Sequence, residues 1–177
     1  MTSSTDAATR ASQLRIMLFD VDGVLTDGTL LYGEDGEKLK AFNTLDGHGL
    51  KMLAEVGIRT GIITGRRSRA LALRCADLGI NILHQGVADK AAVFASVLTE
   101  CGLRADQAGY MGDDVVDLPV MVRCAFAAAV PAAPVDVRSR AHYVTQAGGG
   151  QGAAREVCDF ILRAQGKFDG LIAGYLA

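Results

Sequence analysis

Short apolar runs alternate along this chain with stretches of helical spacing. The first run, 14–19, is nearly continuous and stops at Asp20. Others follow at 59–64, through Gly61, Ile62 and Ile63, and at 80–84, 108–111, 126–130 and 142–145. Runs this short, with no polar face, are the mark of strands buried on both sides of a sheet. Helical patterns fill the intervals at 49–56, 68–78, 89–100, 118–123 and 135–140, and a last helix is expected at 152–164. This strand–helix alternation predicts an α/β fold, a mostly parallel sheet covered by helices on both faces.

One segment breaks the alternation. Residues 29–42 carry Asp35-Gly36 between two alternating runs, which predicts a protruding β-hairpin. Its alternation places Leu39 and Ala41 on one face and Lys38 and Lys40 on the other. A lone two-stranded ribbon is marginal in water, so its apolar face is expected to pack against another copy of the chain.

With 177 residues, half of them hydrophobic, the chain suits one domain with one core. A flexible leader is expected over 1–13, a single domain over 14–165 and a C-terminal tail over 166–177. The tail carries Phe168, Leu171, Ile172, Tyr175 and Leu176 and is apolar enough that it should dock. The formal net charge of -2 and the absence of a basic stripe argue against nucleic acid as a partner. No apolar run approaches the ~18 residues of a membrane span, and the first residues lack the apolar region of a secretory signal. A cytoplasmic protein with no membrane partner is expected. Cys75, Cys101, Cys124 and Cys158 form no CxxC pair and sit among apolar or helix-forming neighbours, which reads as buried reduced thiols.

In parallel α/β sheets ligands bind beyond the carboxyl ends of the strands, so polar residues there carry weight. The first strand is followed by Asp20 and Asp22, the second by Thr64, Gly65 and Arg66, and the fourth by Asp113, Asp114 and Asp117; Lys90 opens the helix after the third. Asp20 and Asp22, two apart in extended chain, point the same way and repel. A hard divalent cation relieves this, and Asp113 can supply a further oxygen; Mg2+ fits best because it keeps waters and can bind a phosphate oxygen as well. A single aspartate after a strand is usually a helix cap. Asp20, Asp22, Asp113, Asp114 and Asp117 together, beside a threonine and a lysine, are not all caps. Asp20 at the strand tip is the candidate nucleophile towards phosphorus, and Asp22 the candidate acid and base. Lys90, the Thr64 hydroxyl and the amides of 21–23 can surround the transferring phosphoryl group. Arg66 is either a fork for a substrate carboxylate or a surface arginine, and Asp46 either a substrate contact or the cap of its own helix.

The string Asp20-Val21-Asp22-Gly23-Val24-Leu25-Thr26, with Thr64-Gly65, Lys90 and Gly112-Asp113-Asp114 followed by Asp117, resembles the four motifs of the haloacid dehalogenase superfamily. The resemblance implies a Rossmann-like, doubly wound fold. It also implies Asp20 as nucleophile, Asp22 as acid and base, and Thr64 and Lys90 as phosphate ligands. Magnesium would be held by Asp20, the backbone carbonyl of Asp22 and Asp113, with Asp114 and Asp117 supporting the site. Too few residues separate these motifs for a cap domain; the hairpin at 29–42 stands in its place, so the chain resembles the capless subfamily. Within that subfamily, Asn43-Thr44-Leu45-Asp46-Gly47-His48-Gly49, His84-Gln85-Gly86 and Gly149-Gly150-Gln151-Gly152-Ala153-Ala154-Arg155-Glu156 are similar to phosphatases of an eight-carbon sugar acid, acting on 3-deoxy-D-manno-octulosonate 8-phosphate. The similarity runs over 16–167. It implies an aspartyl-phosphate intermediate, a place in lipopolysaccharide synthesis, a homotetramer, and substrate contacts from Gly65, Arg66, Asp46, His48 and Arg155. It also implies that hairpins meet at the tetramer centre and that a neighbour's C-terminal segment reaches the active site. His48 departs from the tyrosine often found there, and the tail beyond Phe168 is longer and more apolar than the family pattern.

A sibling phosphatase of a nine-carbon sugar acid 9-phosphate shares this core. A non-enzymatic receiver domain would place its phosphoacceptor after the third strand, where this chain has His84-Gln85-Gly86. A phosphosugar-sensing domain without activity would not need the four motifs intact.

Overall fold

The computed structural model describes residues 4–176. Six parallel strands form one sheet in the order β5-β4-β1-β6-β7-β8. They are β1 (Ile16–Phe19), β4 (Arg59–Thr64), β5 (Ile82–Gln85), β6 (Ala108–Gly112), β7 (Phe126–Ala129) and β8 (Tyr143–Val144). β1, β6 and β7 are buried at every position, because helices cover both faces and leave no side for polar residues. From β1 the chain winds outward through β4 and β5, then returns to β1's other edge with β6. The direction of winding thus switches at β1, and the crevice beyond its carboxyl end is where such folds bind ligands.

The helices are α1 (Ser4–Ala11), α2 (Thr44–Glu55), α3 (Arg69–Leu78), α4 (Lys90–Cys101), α5 (Leu118–Met121), α6 (Val135–Arg138), α7 (Ala153–Ala164) and α8 (Phe168–Leu176). α7 buries Ala153, Ala154, Val157, Cys158, Ile161 and Leu162, a stripe at helical spacing that packs on α2 and α1. Ser68 caps α3 and Asp89 caps α4, each side chain accepting from an amide three residues on. The cysteines are free, with Cys75, Cys124 and Cys158 buried and Cys101 partly so. No helix among the described residues is long and apolar enough to cross a membrane.

Two expectations are corrected. The leader expected over 1–13 is helical over Ser4–Ala11; residues 1–3 lie outside the described part. Ala7 and Ala11, four apart, give α1 a flat face that is fully buried, and Arg10 ties it to Asp6 and to the carbonyl of Ala125. α2 starts five residues before the predicted 49, with Asn43 as its cap. Gly47 and Gly49 obscured that start, since glycine is a poor helix former. Tertiary contact explains Gly49: a Cβ there would sit 3.0 Å from Arg155 and 3.1 Å from Cys158 on α7. The tail expected over 166–177 is the helix α8 over Phe168–Leu176, with residue 177 outside the described part; it half-buries Phe168 and Leu171 against the same chain, with the Arg163 guanidinium 3.7 Å above the Phe168 ring.

The predicted hairpin is present as β2 (Leu31–Gly33) and β3 (Gly36–Leu39), paired antiparallel. Gly36, at φ 102°, follows the two turn residues Glu34 and Asp35. Leu31, Tyr32 and Leu39 stand exposed on it, Leu39 at 66%. The expected alternation fails at Lys40. Lys38 points outward to Asp35, whereas Lys40 lies just beyond β3 and turns inward.

Candidate active site

Asp20 directly follows β1, its amide still bonded to the Met111 carbonyl of β6. It is 6% exposed. Lys90, first residue of α4, stands 3.0 Å from Asp20 Oδ2. Asp20 Oδ1 has no partner; among the described residues it is the one buried side-chain nitrogen or oxygen so placed. Burial, then the charge of Asp117, push the Asp20 carboxyl up to about 6, against the pull of Lys90.

Beyond Asp20 the chain turns sharply, with the Val21 carbonyl accepting from the amides of Val24, Leu25 and Thr26. Gly23 passes beside Asp113 at φ 89°, and a Cβ there would fall 2.1 Å from Asp113 Oδ2. Asp113 and Asp114 follow β6. Burial, then Asp20, Asp117 and Asp114 in turn, push the Asp113 carboxyl up to about 7.

Asp117 is fully buried, and its oxygens are spoken for. Oδ1 accepts from Lys90 Nζ and from the Tyr110 hydroxyl, both at 2.6 Å. Oδ2 accepts from the amides of Asp113 and Asp114 at 3.0 and 3.2 Å. Asp20, Asp113 and Asp117 each bring one oxygen within 4.8 Å of the others. Of these, Asp117 is a scaffold: it locks the Asp113 loop and orients Lys90, with no lone pair left for a metal. Asp114 caps the same turn through the amide of Val115. Burial pulls the Lys90 ammonium down, but Asp20 and Asp117 reverse this, so it is raised and stays charged.

The Asp22 carboxylate turns away from this cluster. Lys40 Nζ contacts its Oδ1, and Arg66 Nε lies 3.7 Å from its Oδ2. Thr64 is buried at the end of β4, and Thr64, Gly65, Arg66, Val87, Ala88 and Val116 complete one open cleft with Asp20, Asp22, Lys90, Asp113 and Asp114.

Three of the expected substrate contacts are not in that cleft within one subunit. Asp46 is buried, and it accepts from the amides of Gly152 and Arg155, so it holds the start of α7 rather than capping its own helix. Arg155 donates to Asp159 on α7. His48 lies against Tyr175 of α8, Nε2 3.3 Å from the hydroxyl. The glycine-rich segment before α7 is likewise structural here. The Gly150 amide bonds the Val24 carbonyl, and a Cβ at Gly149 would lie 1.8 Å from the Gly23 carbonyl oxygen, so the segment braces the loop after β1. Lys40 and Tyr110 are the site neighbours that sequence reasoning missed. Alternation puts Lys40 with Lys38 on one face of the hairpin, and Tyr110 falls within the strand run 108–111.

The donor set fits a hard cation: one buried carboxylate oxygen without a partner, and two carboxyls whose affinity for protons is raised by burial and by neighbouring carboxylates. Both folded values, about 6 and about 7, lie above the ordinary 3.8. Their stabilising contribution is thus full below that value and is lost as pH rises through 6 and 7. A bound cation takes the place of those protons. The rise in Tm caused by magnesium is therefore expected to be larger at pH 8 than at pH 5. An equal rise at both, in differential scanning fluorimetry, would separate these carboxylates from metal binding.

No model of a protein family matches the chain. A 3-deoxy-D-manno-octulosonate 8-phosphate phosphatase of Escherichia coli is 43% identical over 166 residues, 94% of this chain and 88% of the relative. The crystal structure of the Moraxella catarrhalis phosphatase of the same name, in complex with magnesium ion, phosphate ion and a KDO molecule, superposes with a TM-score of 0.95 at 36% identity, covering 98% of this chain and 99% of that one. A Legionella pneumophila structure described as a HAD superfamily (subfamily III A) hydrolase superposes at 0.92 with 38% identity, over 97% of this chain and 94% of that one. Identity at this level, over 94% of this chain and 88% of the Escherichia coli relative and on one shared fold, means that the chain belongs to the 3-deoxy-D-manno-octulosonate 8-phosphate phosphatase family of the haloacid dehalogenase superfamily.

Proposed function

We propose that the chain is a magnesium-dependent phosphomonoesterase that hydrolyses 3-deoxy-D-manno-octulosonate 8-phosphate to the free sugar acid and phosphate. The observation that carries this reading is the unpartnered Oδ1 of Asp20, in a cleft it shares with Lys90, Thr64 and Arg66. The Moraxella relative, solved with magnesium, phosphate and KDO, supports the substrate.

In the first step an Asp20 carboxylate oxygen bonds to phosphorus and the ester P–O bond breaks. The electron pair stays on the sugar oxygen, which takes a proton from Asp22. In the second, water attacks the phosphorus of the aspartyl phosphate, Asp22 takes the water's proton, and Asp20 leaves as carboxylate. Lys90 stays charged beside the nucleophile and offsets the charge of the incoming phosphate. Thr64 and the amides of 21–23 are the remaining donors. Asp20, the Asp22 carbonyl and Asp113 are the residues that would hold magnesium, which when bound neutralises phosphate oxygens and the repulsion between the carboxylates. Arg66, at the rim, is placed to fork a substrate carboxylate.

The reading extends to a cytoplasmic homotetramer serving lipopolysaccharide synthesis. The exposed Leu31, Tyr32 and Leu39 of the hairpin support an assembly that would shield the open cleft. Within it, His48, Arg155 and the α8 tip would have a neighbour's cleft to reach. The test is phosphate release from the eight-carbon acid 8-phosphate, a nine-carbon acid 9-phosphate and glucose 6-phosphate, on a sample that sediments as a tetramer, with magnesium and then with chelator. A charged hydrogen bond contributes about 1.5–3 kcal/mol, so the eight-carbon acid should exceed glucose 6-phosphate by roughly 10- to 100-fold in kcat/KM. Chelator should abolish all three rates. Preference for the nine-carbon acid would move the assignment to that sibling activity, and equal kcat/KM for glucose 6-phosphate would refute it.

A further inference from the structure

Lys40 lies just beyond a hairpin whose outer positions, Leu31, Tyr32 and Leu39, are exposed, yet its own side chain is 3% exposed. Its Nζ contacts Asp22 Oδ1 and lies 3.5 Å from Glu37 Oε2 of the same hairpin. Burying an ammonium costs several kcal/mol unless it is paired. A lysine that only solubilised the hairpin would point outward, as Lys38 does. Asp22 is what holds Lys40 inward. The other cation facing Asp22 is also tied to the hairpin: Arg66 Nη1 donates to the Tyr32 hydroxyl at 3.3 Å.

We propose that Lys40 is a positioning residue for Asp22, gripping one carboxylate oxygen so that the other is presented to the sugar oxygen, which makes the hairpin part of the reaction. The inference rests on the phosphatase reading above. An aspartate side chain has two rotatable bonds, and proton donation counts only from a correct geometry. As the Asp20–phosphorus bond forms and the ester bond breaks, a sugar oxygen needs the Asp22 proton because an alkoxide is a poor leaving group. A nitrophenolate leaves without it.

Lys40→Met and Lys40→Arg, alone and with Asp22→Asn, should be assayed with the sugar acid phosphate and with p-nitrophenyl phosphate. Positioned proton donation is worth about 10²–10⁴-fold. Lys40→Met is expected to lower kcat/KM for the sugar phosphate by about 10- to 100-fold, and much less for the aryl ester. Lys40→Arg should restore part of that loss. In the Asp22→Asn background Lys40→Met should add little, since neighbours that act as a unit are not additive. Equal losses on both esters, or a full further loss in the double variant, would overturn the role of Lys40 while leaving the phosphatase reading intact. A wild-type chain inactive on both esters would overturn that reading and this inference with it. Tm measured alongside separates misfolding from loss of position, because a purely structural lysine would not make the loss depend on the leaving group.

Discussion

Asp20→Asn is expected to abolish turnover while making the metal-free protein more stable. The amide is a poor nucleophile, and losing the group that forms the covalent intermediate should lower kcat by at least ~10⁴-fold. The stability effect has the opposite sign for an electrostatic reason. Asp20 is buried beside Asp117 and Asp113, with one oxygen unpartnered. Its folded value, about 6, lies above the ordinary 3.8, so ionised Asp20 opposes folding at neutral pH. Asparagine removes that charge, and Lys90 keeps its contact with Asp117. Tm without metal should therefore rise at pH 8, and the further rise on adding magnesium should shrink. A freshly purified variant with a near wild-type rate would end the assignment of the nucleophile. A variant less stable than wild type at pH 8 without metal would contradict the account of the carboxylate cluster.

Asp117→Ala is expected to damage both fold and activity. Removing this side chain takes the acceptor from two amides, a tyrosine hydroxyl and a buried ammonium at once. Each unsatisfied buried group costs about 1–3 kcal/mol, and charged ones more. One effect works the other way, since Asp117 also repels Asp20 and Asp113. Lys90 would retain Asp20 as a partner at 3.0 Å, which softens the loss further. A net loss of about 3–5 kcal/mol in urea unfolding is expected. Lys90, drawn wholly onto Asp20, would also hinder the nucleophile, so kcat should fall in the folded fraction. A variant within about 1 kcal/mol of wild type and fully active would show that the network is dispensable.

Most of the framework was legible in the sequence because its signals are local. The six sheet strands are where apolar runs stand, and helices α3, α4 and α7 begin within a residue of their predicted starts. Helical spacing alone starts α2 at 49 because Gly47 and Gly49 lower helix propensity; only α3 lying against Gly47 and α7 against Gly49 shows why they are there. The leader was read as flexible because two alanines four apart carry no signal until a partner face is present.

The sequence by itself determined the chemistry of the site: which carboxylates, which threonine and which lysine follow which strands. Parallel strands deliver the residues after their carboxyl ends to one crevice, so order along the chain is enough to bring Asp20, Thr64, Lys90 and Asp113 together. Tertiary structure alone decided how each of these groups is spent. Asp117, one of several equivalent aspartates in sequence, has both oxygens consumed by four donors, whereas Asp20 keeps one free. Asp46, read as a substrate contact or as the cap of its own helix, instead holds the start of α7, more than a hundred residues away. Lys40, which alternation sent to solvent, turns to Asp22 across eighteen positions. Hydrogen-bond capacity and desolvation are settled by the neighbours in space, and those neighbours come from segments distant in the chain, where no local pattern records them.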